Sequence, residues 1–297
     1  MIGELVRVLA ADGVELVGIY SEPACGRPRG ALIHVHGYAG TFYENRFVSS
    51  IGDALASNGI AMLAVNNRGH DYVADNLSGT GSDTTSVPGG AAYDLFERTL
   101  EDLDACVGFL KGMGHDRLWF QGHSLGTLRI VHYLNVRGAA NAEGMVLISP
   151  PDMFGLFDAR TDGGCADVVA AARDLVASGR GEELMTAGRD HPVSAASIVS
   201  LYGDPRVTDI FPVRLGAGGD YSHTEKLGVP ALITMGDVDE AVTIDPARAA
   251  ELVAEHMGGE GRSVVIRGAN HVYFGHEDEL ARAVAGFVAP GDSESVR

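Results

Sequence analysis

Lysine is almost missing from this chain of 297 residues. Only Lys111 and Lys226 occur, and 22 basic residues face 40 acidic ones, a formal charge of −18. A polyanion binder gains affinity by neutralising phosphates, so this balance, with no basic run anywhere, argues against nucleic acid as a partner and disfavours anionic membrane surfaces. Cysteine is scarce too. Cys25, Cys106 and Cys165 are an odd set without a C-x-x-C pair, which fits a reducing compartment, the cytoplasm, better than a disulfide framework. No apolar run is long enough to cross a bilayer, and residues 1–13, with Glu4 and Arg7, lack the pattern of a secretory signal. Metal-ligand spacing is lacking among the histidines at 70, 115, 132, 191, 223 and 256, and no H-E-x-x-H occurs, so no metal is expected. Gly37, Gly40, Gly122 and Gly126 form neither a G-x-G-x-x-G nor a P-loop, so no nucleotide cofactor is implied.

What is abundant is glycine, with 40 residues, in a chain that is 45% apolar and 21% charged. That composition is globular and calls for many tight turns. Two alternating stretches, 5–9 and 14–20, flank the turn pair Asp12-Gly13 and read as a β-hairpin. Beyond residue 30, short apolar runs at 31–36, 60–66, 117–121, 144–149, 231–235 and 263–266 read as strands buried on both faces. Between them lie amphipathic stripes. Tyr93, Phe96, Leu100, Leu103, Val107 and Leu110 keep helical spacing, as do Phe47, Ile51 and Leu55, and Leu280, Val284 and Phe287. The alternation predicts a doubly wound, mostly parallel α/β sheet of about eight strands. Residues 69–90, rich in Gly, Ser, Thr and Asp, read as a long loop of the kind that is functional or mobile. Residues 151–228 read as a helical insertion covering the carboxyl edge of the sheet, with 1–150 and 229–290 as the core and 291–297 as a tail.

Gly122-His123-Ser124-Leu125-Gly126 fits G-x-S-x-G, follows an apolar strand and precedes a helical run. The pentapeptide alone would arise by chance in roughly one chain in three of this composition, so its context carries the signal. In that context the glycines clear space for a sharp turn that exposes the Ser124 hydroxyl above the sheet. A serine hydroxyl near pH 7 needs a base, and the base needs an orienting carboxylate. Two later strands end in turns with the right residue types: Gly236-Asp237-Val238-Asp239 and Gly268-Ala269-Asn270-His271.

In these motifs and their order, Ser then Asp then His, the sequence resembles an α/β-hydrolase over residues 5–290. The resemblance implies a serine hydrolase with Ser124 as nucleophile. A G-x-x-D pattern selects Asp239 over Asp237, with Glu240 a further neighbour, and a G-x-x-H turn selects His271 over His276. It also implies an oxyanion hole from the backbone N–H groups of Leu125 and of Tyr38, the latter in His36-Gly37-Tyr38-Ala39-Gly40. His34, His36 and His123 are expected to be structural. Phe42-Tyr43-Glu44-Asn45 and Asn66-Asn67-Arg68-Gly69-His70-Asp71 are similar to a subgroup that includes siderophore-type esterases, although Asn66 and Asp71 depart from the commoner D-x-R-G-x-G pattern. The chemistry implied is hydrolysis of a carboxylic ester, thioester or lactone of a small-molecule acyl substrate. Acyl transfer, amide or C–C bond hydrolysis, or a ligand-binding receptor on the same fold are the alternatives. Phe154, Phe157, Leu201, Tyr202, Phe211 and Tyr221 either line a substrate pocket or pack the insertion's own core.

Overall fold

The computed structural model describes residues 1–140, 142–186 and 191–290; the tail 291–297 lies outside them. The N-terminal hairpin forms as β1 (Glu4–Leu9) and β2 (Glu15–Ser21), followed by β3 (Ala31–Val35), α1 (Arg46–Ser57) and β4 (Ala61–Val65). The stretch 69–90 is not a plain loop. Its polar residues pair as an antiparallel ribbon, β5 (Ala74–Ser78) with β6 (Thr85–Gly89), anchored to the N-terminal hairpin by a bridge from Val14 to Ser78. Inside the ribbon the buried Asn76 amide donates to the Arg68 carbonyl, and Arg68 is itself held by Asp102 and Asp12. Then come α2 (Thr99–Gly112), β7 (Leu118–His123), α3 (Leu125–Arg137) and β8 (Ala142–Ile148).

Eight strands form one sheet in the order β1-β2-β4-β3-β7-β8-β11-β12, where β11 is Ala231–Gly236 and β12 is Gly261–Ile266. Pairing is antiparallel only at β1–β2 and β2–β4; the other strands are parallel. Alternate residues face opposite sides. Ala31, Ile33 and Val35 of β3 and Leu118 and Phe120 of β7 join the core under α2 and α3, with Leu103, Cys106, Leu128 and Val131. Leu32 and Trp119 join the other core, with Phe47, Ile51 and Leu55 of α1 and Leu280, Val284 and Val288 of α10 (Glu277–Val288). β12 departs from the expectation of a strand buried on both faces. It is the edge strand, paired with β11 alone, and Val264 and Val265 are exposed.

Between β8 and β11 the chain forms α4 (Met153–Arg160), α5 (Cys165–Ala177), a two-residue ribbon of β9 (Leu184–Met185) with β10 (Val193–Ser194), α6 (Ala195–Tyr202), α7 (Pro205–Thr208) and α8 (Ser222–Glu225). α9 (Pro246–Glu255) follows β11. Phe157 stacks on Tyr202 at 3.9 Å and Phe154 meets the same ring edge-on, so these aromatics pack the insertion itself. Phe211 and Tyr221 are buried as well, the latter stacked on His256. Ion pairs tie the insertion together: Arg214 holds Asp152, which is wholly buried at the N-terminus of α4, and also Asp209, while Asp152 accepts the hydroxyl of Thr243, beyond β11, at 2.7 Å.

The chain leaves β3 toward β4 on one side and later returns to β7 on the other. Here the carboxyl ends of neighbouring strands diverge into a crevice, the usual place for a ligand in an open α/β sheet. Val35 pairs with Gly122, which sets the turn after β3 beside the turn after β7.

Candidate active site

Ser124 sits between β7 and α3 with φ 53° and ψ −125°, a left-handed conformation that a residue with a side chain adopts only under constraint. The constraint is visible in the neighbouring glycines. A Cβ at Gly126 would stand 2.1 Å from the Val35 carbonyl oxygen, and one at Gly122 would stand 2.3 Å from that of Gly126. Only bare backbone allows α3 to start this close to the sheet. Two further bonds fix the turn: the Ser124 N–H donates to the Ile148 carbonyl at 2.9 Å, and the Thr127 hydroxyl donates to the Ser124 carbonyl at 2.6 Å. Leu125 is the first residue of α3, so its N–H belongs to the helix-end donors without an intrahelical partner.

His271 and Asp239 come together from the turns after β12 and β11, with Nδ1 of the ring 2.9 Å from Oδ1 of the carboxylate. The same Oδ1 accepts the Ala241 N–H at 2.9 Å. Burial alone would push the Asp239 carboxyl up, but His271, Ser149 and that N–H outweigh it and hold the group below its ordinary value. The two competing acids take other positions. Asp237 is exposed and accepts the Gly268 N–H at 2.5 Å, while Glu240 accepts the His271 N–H at 3.4 Å, so both brace the histidine turn through its backbone. His276 lies at the start of α10 near Glu279. Behind Asp239, the buried hydroxyls of Ser149, Tyr273 and Thr234 form a chain of hydrogen bonds at 3.1 and 3.2 Å, and both Ser149 and Tyr273 are left-handed.

The three histidines expected to be structural are buried. His36 accepts the Asn67 N–H on Nε2 at 3.0 Å, which leaves its Nδ1–H to donate to the Gly37 carbonyl at 2.8 Å. His123 Nε2–H donates to the His271 carbonyl at 2.8 Å, and the two rings lie 4.8 Å apart. Burial drives both His36 and His123 down to about 3, so each is neutral at pH 7. His34, bonded to Gln121, is shifted in the same direction for the same reason.

Ser124 and His271 open onto a cavity of about 410 Å³ also lined by Tyr38, Tyr72, Met153, Leu156, Arg160 and His191. Among the described residues the Ser124 hydroxyl makes no hydrogen bond to the imidazole; such bonds often tighten only around a bound substrate. Tyr38 also borders a smaller apolar cavity of about 20 Å³ with Leu125, Ile198, Leu201 and Tyr202. The sequence reading missed Tyr72, Met153, Leu156, Arg160 and His191. For the α4 residues a signal exists, since 153, 156 and 160 fall on one helical face; Tyr72 and His191, whose rings meet at 4.4 Å, are joined only by the folding of two distant segments. No group of three or more His, Cys, Asp or Glu residues arranged to hold a metal exists among the described residues, and no helix among them is long and apolar enough to cross a membrane.

The sheet, the elbow bearing Ser124 and the helices on both faces give the chain the α/β-hydrolase fold. Residues 26–156 match the family of serine aminopeptidase, S33. The structure is similar to that of Est1E from Butyrivibrio proteoclasticus with ferulic acid bound, at 20% identity over 95% of this chain and 97% of that one, with a TM-score of 0.64. It is also similar to the esterase Pf2001 from Pyrococcus furiosus, at 18% identity over 97% and 92%, TM-score 0.60, and to an alpha-beta serine hydrolase homologue from Coxiella burnetii, at 17% identity over 97% and 99%, TM-score 0.58. At these identities the likeness is one of fold. No curated protein matches the sequence.

Proposed function

We propose that the protein is a carboxylic-ester hydrolase working through an acyl-enzyme on Ser124. The observation that carries the reading is the strained Ser124 opening into one cavity with His271, whose other nitrogen is held by a buried, ionised Asp239. With Nδ1–H donated to Asp239, the bare Nε2 of His271 is the atom that takes the serine proton. Ser124 attacks the acyl carbonyl, and the N–H groups of Leu125 and Tyr38 stabilise the oxyanion. The alkoxide leaves with the proton from His271, and water activated by the same ring releases the acid. Residues 151–228 act as a cap over this site, supplying Met153, Leu156, Arg160 and His191 to its wall. The esterase names of the structural neighbours agree with this chemistry, and the free thiols of Cys25, Cys106 and Cys165 suit a reducing compartment such as the cytoplasm. The test is Ser124→Ala, which is expected to abolish both fluorophosphonate labelling and hydrolysis of p-nitrophenyl acetate; labelling that persists in the variant overturns the assignment.

A further inference from the structure

The wall of the catalytic cavity formed by α4 is graded in polarity. Met153, Leu156 and Arg160 all line it, and their spacing of three and then four residues places them along one helical face. Seven residues of helix advance by about 10 Å, so the lining runs from two apolar side chains to a guanidinium over the length of a small ligand. The opposite sign stands at the other end. Glu240 lines the same cavity and bonds the backbone of His271, so its carboxylate belongs to the catalytic end.

Arg160 differs from its neighbours in the insertion in having no partner among the described residues. Arg180 is held by Glu183, Arg206 by Asp204 and Arg214 by Asp152 and Asp209, whereas Arg160 makes no ion pair or hydrogen bond with any described residue. In a chain carrying −18, Arg160 is an exposed cation on the cavity wall that no described carboxylate pairs with, the cavity's Glu240 being turned to the backbone of His271. A guanidinium presents a planar fork of donors that matches a carboxylate.

We propose that Arg160 is a specificity-determining residue and that the substrates are esters with a carboxylate at one end, joined to the scissile bond by an apolar spacer. The inference rests on the esterase reading of the same cavity. The spacer lies along Met153 and Leu156, the carboxylate meets Arg160, and Glu240 repels the reversed orientation, so the ester carbonyl is delivered to Ser124 instead of the free acid.

Two ester pairs test this, because the carboxylate is carried on either half. Mono-p-nitrophenyl glutarate is compared with p-nitrophenyl pentanoate, and (4-acetoxyphenyl)acetic acid with its amide. Dissociation constants are measured on the Ser124→Ala protein, and kcat/KM on the protein with Ser124 intact. In at least one pair the anionic ester is expected to be preferred about tenfold, in binding and in kcat/KM. That preference falls to near one in Arg160→Gln, persists in part in Arg160→Lys, and shrinks with added salt. Equal binding of the charged and uncharged members in both pairs, or a preference that survives Arg160→Gln, overturns the inference. A binding preference that depends on Arg160 in a protein that turns over no ester upholds it while sinking the esterase reading.

Discussion

Acid is expected to destabilise this protein well before its carboxylates titrate, because His34, His36 and His123 are buried neutral beneath the candidate site. In the unfolded chain a histidine titrates near 6.5, whereas in the folded protein His36 and His123 titrate at about 3. Between those values the unfolded state binds protons that the native state excludes, so stability is complete above about 6.5 and falls as the pH drops toward 3. At pH 5 each of the two costs about 2 kcal/mol, so about 4 kcal/mol is lost together, a large share of the 5–15 kcal/mol typical of a folded domain. His34 acts in the same direction. The formal charge of −18 works against this, since partial neutralisation relieves self-repulsion, but that contribution cancels when wild type is compared with a single-histidine variant. The assay is urea unfolding followed by fluorescence of the buried Trp119, the only tryptophan, at pH 7.5, 6 and 5. Wild type is expected to lose several kcal/mol across the range, and His123→Asn to show a slope smaller by about 1.4 kcal/mol per pH unit. Equal slopes in wild type, His123→Asn and His36→Asn would refute the reasoning.

Gly126→Ala places a methyl group against two fixed carbonyls, so it is expected to cost at least about 1–3 kcal/mol in thermal or urea unfolding and, by displacing the start of α3, to cut kcat far more than KM. Asp239→Asn, which removes the charge facing His271, is expected to lower kcat by about 10³- to 10⁴-fold, while Asp237→Asn, which retains an acceptor for Gly268, changes kcat less than tenfold; steady-state kinetics on one aryl ester separates them. Arg214→Met leaves Asp152 charged and buried without its cation, a loss of about 3 kcal/mol or more, seen as faster hydrogen exchange in α4 than in α1.

The parallel sheet was legible because its strands are apolar on both faces and its helices carry regular stripes. The ribbon of β5 and β6 was not: its residues are polar, and their order comes from Asn76, Arg68 and the bridge to Val14. β12 resembles a central strand in composition, and only its place at the end of the strand order exposes Val264 and Val265. At the site, Ser124, Asp239 and His271 stood out because each ends a strand at a short turn with a glycine nearby. The cavity wall could not be read in the same way, because Tyr72 and His191 acquire a common surface only after residues more than a hundred apart have folded together. The six aromatic and aliphatic residues left open between pocket and packing mostly pack the insertion, with Leu201 and Tyr202 reaching the smaller cavity.

The edge position of β12 has a bearing on how the protein fails. His271 hangs from a strand held by one neighbour, whereas Ser124 is rooted between two strands at the centre of the sheet. A sheet frays from its margin, so His271 departs while Ser124 and most of the core are still in place. Activity is therefore expected to vanish at a lower temperature or urea concentration than the fluorescence change of Trp119, and to return at once on cooling, because the sheet that re-templates the strand has not been lost.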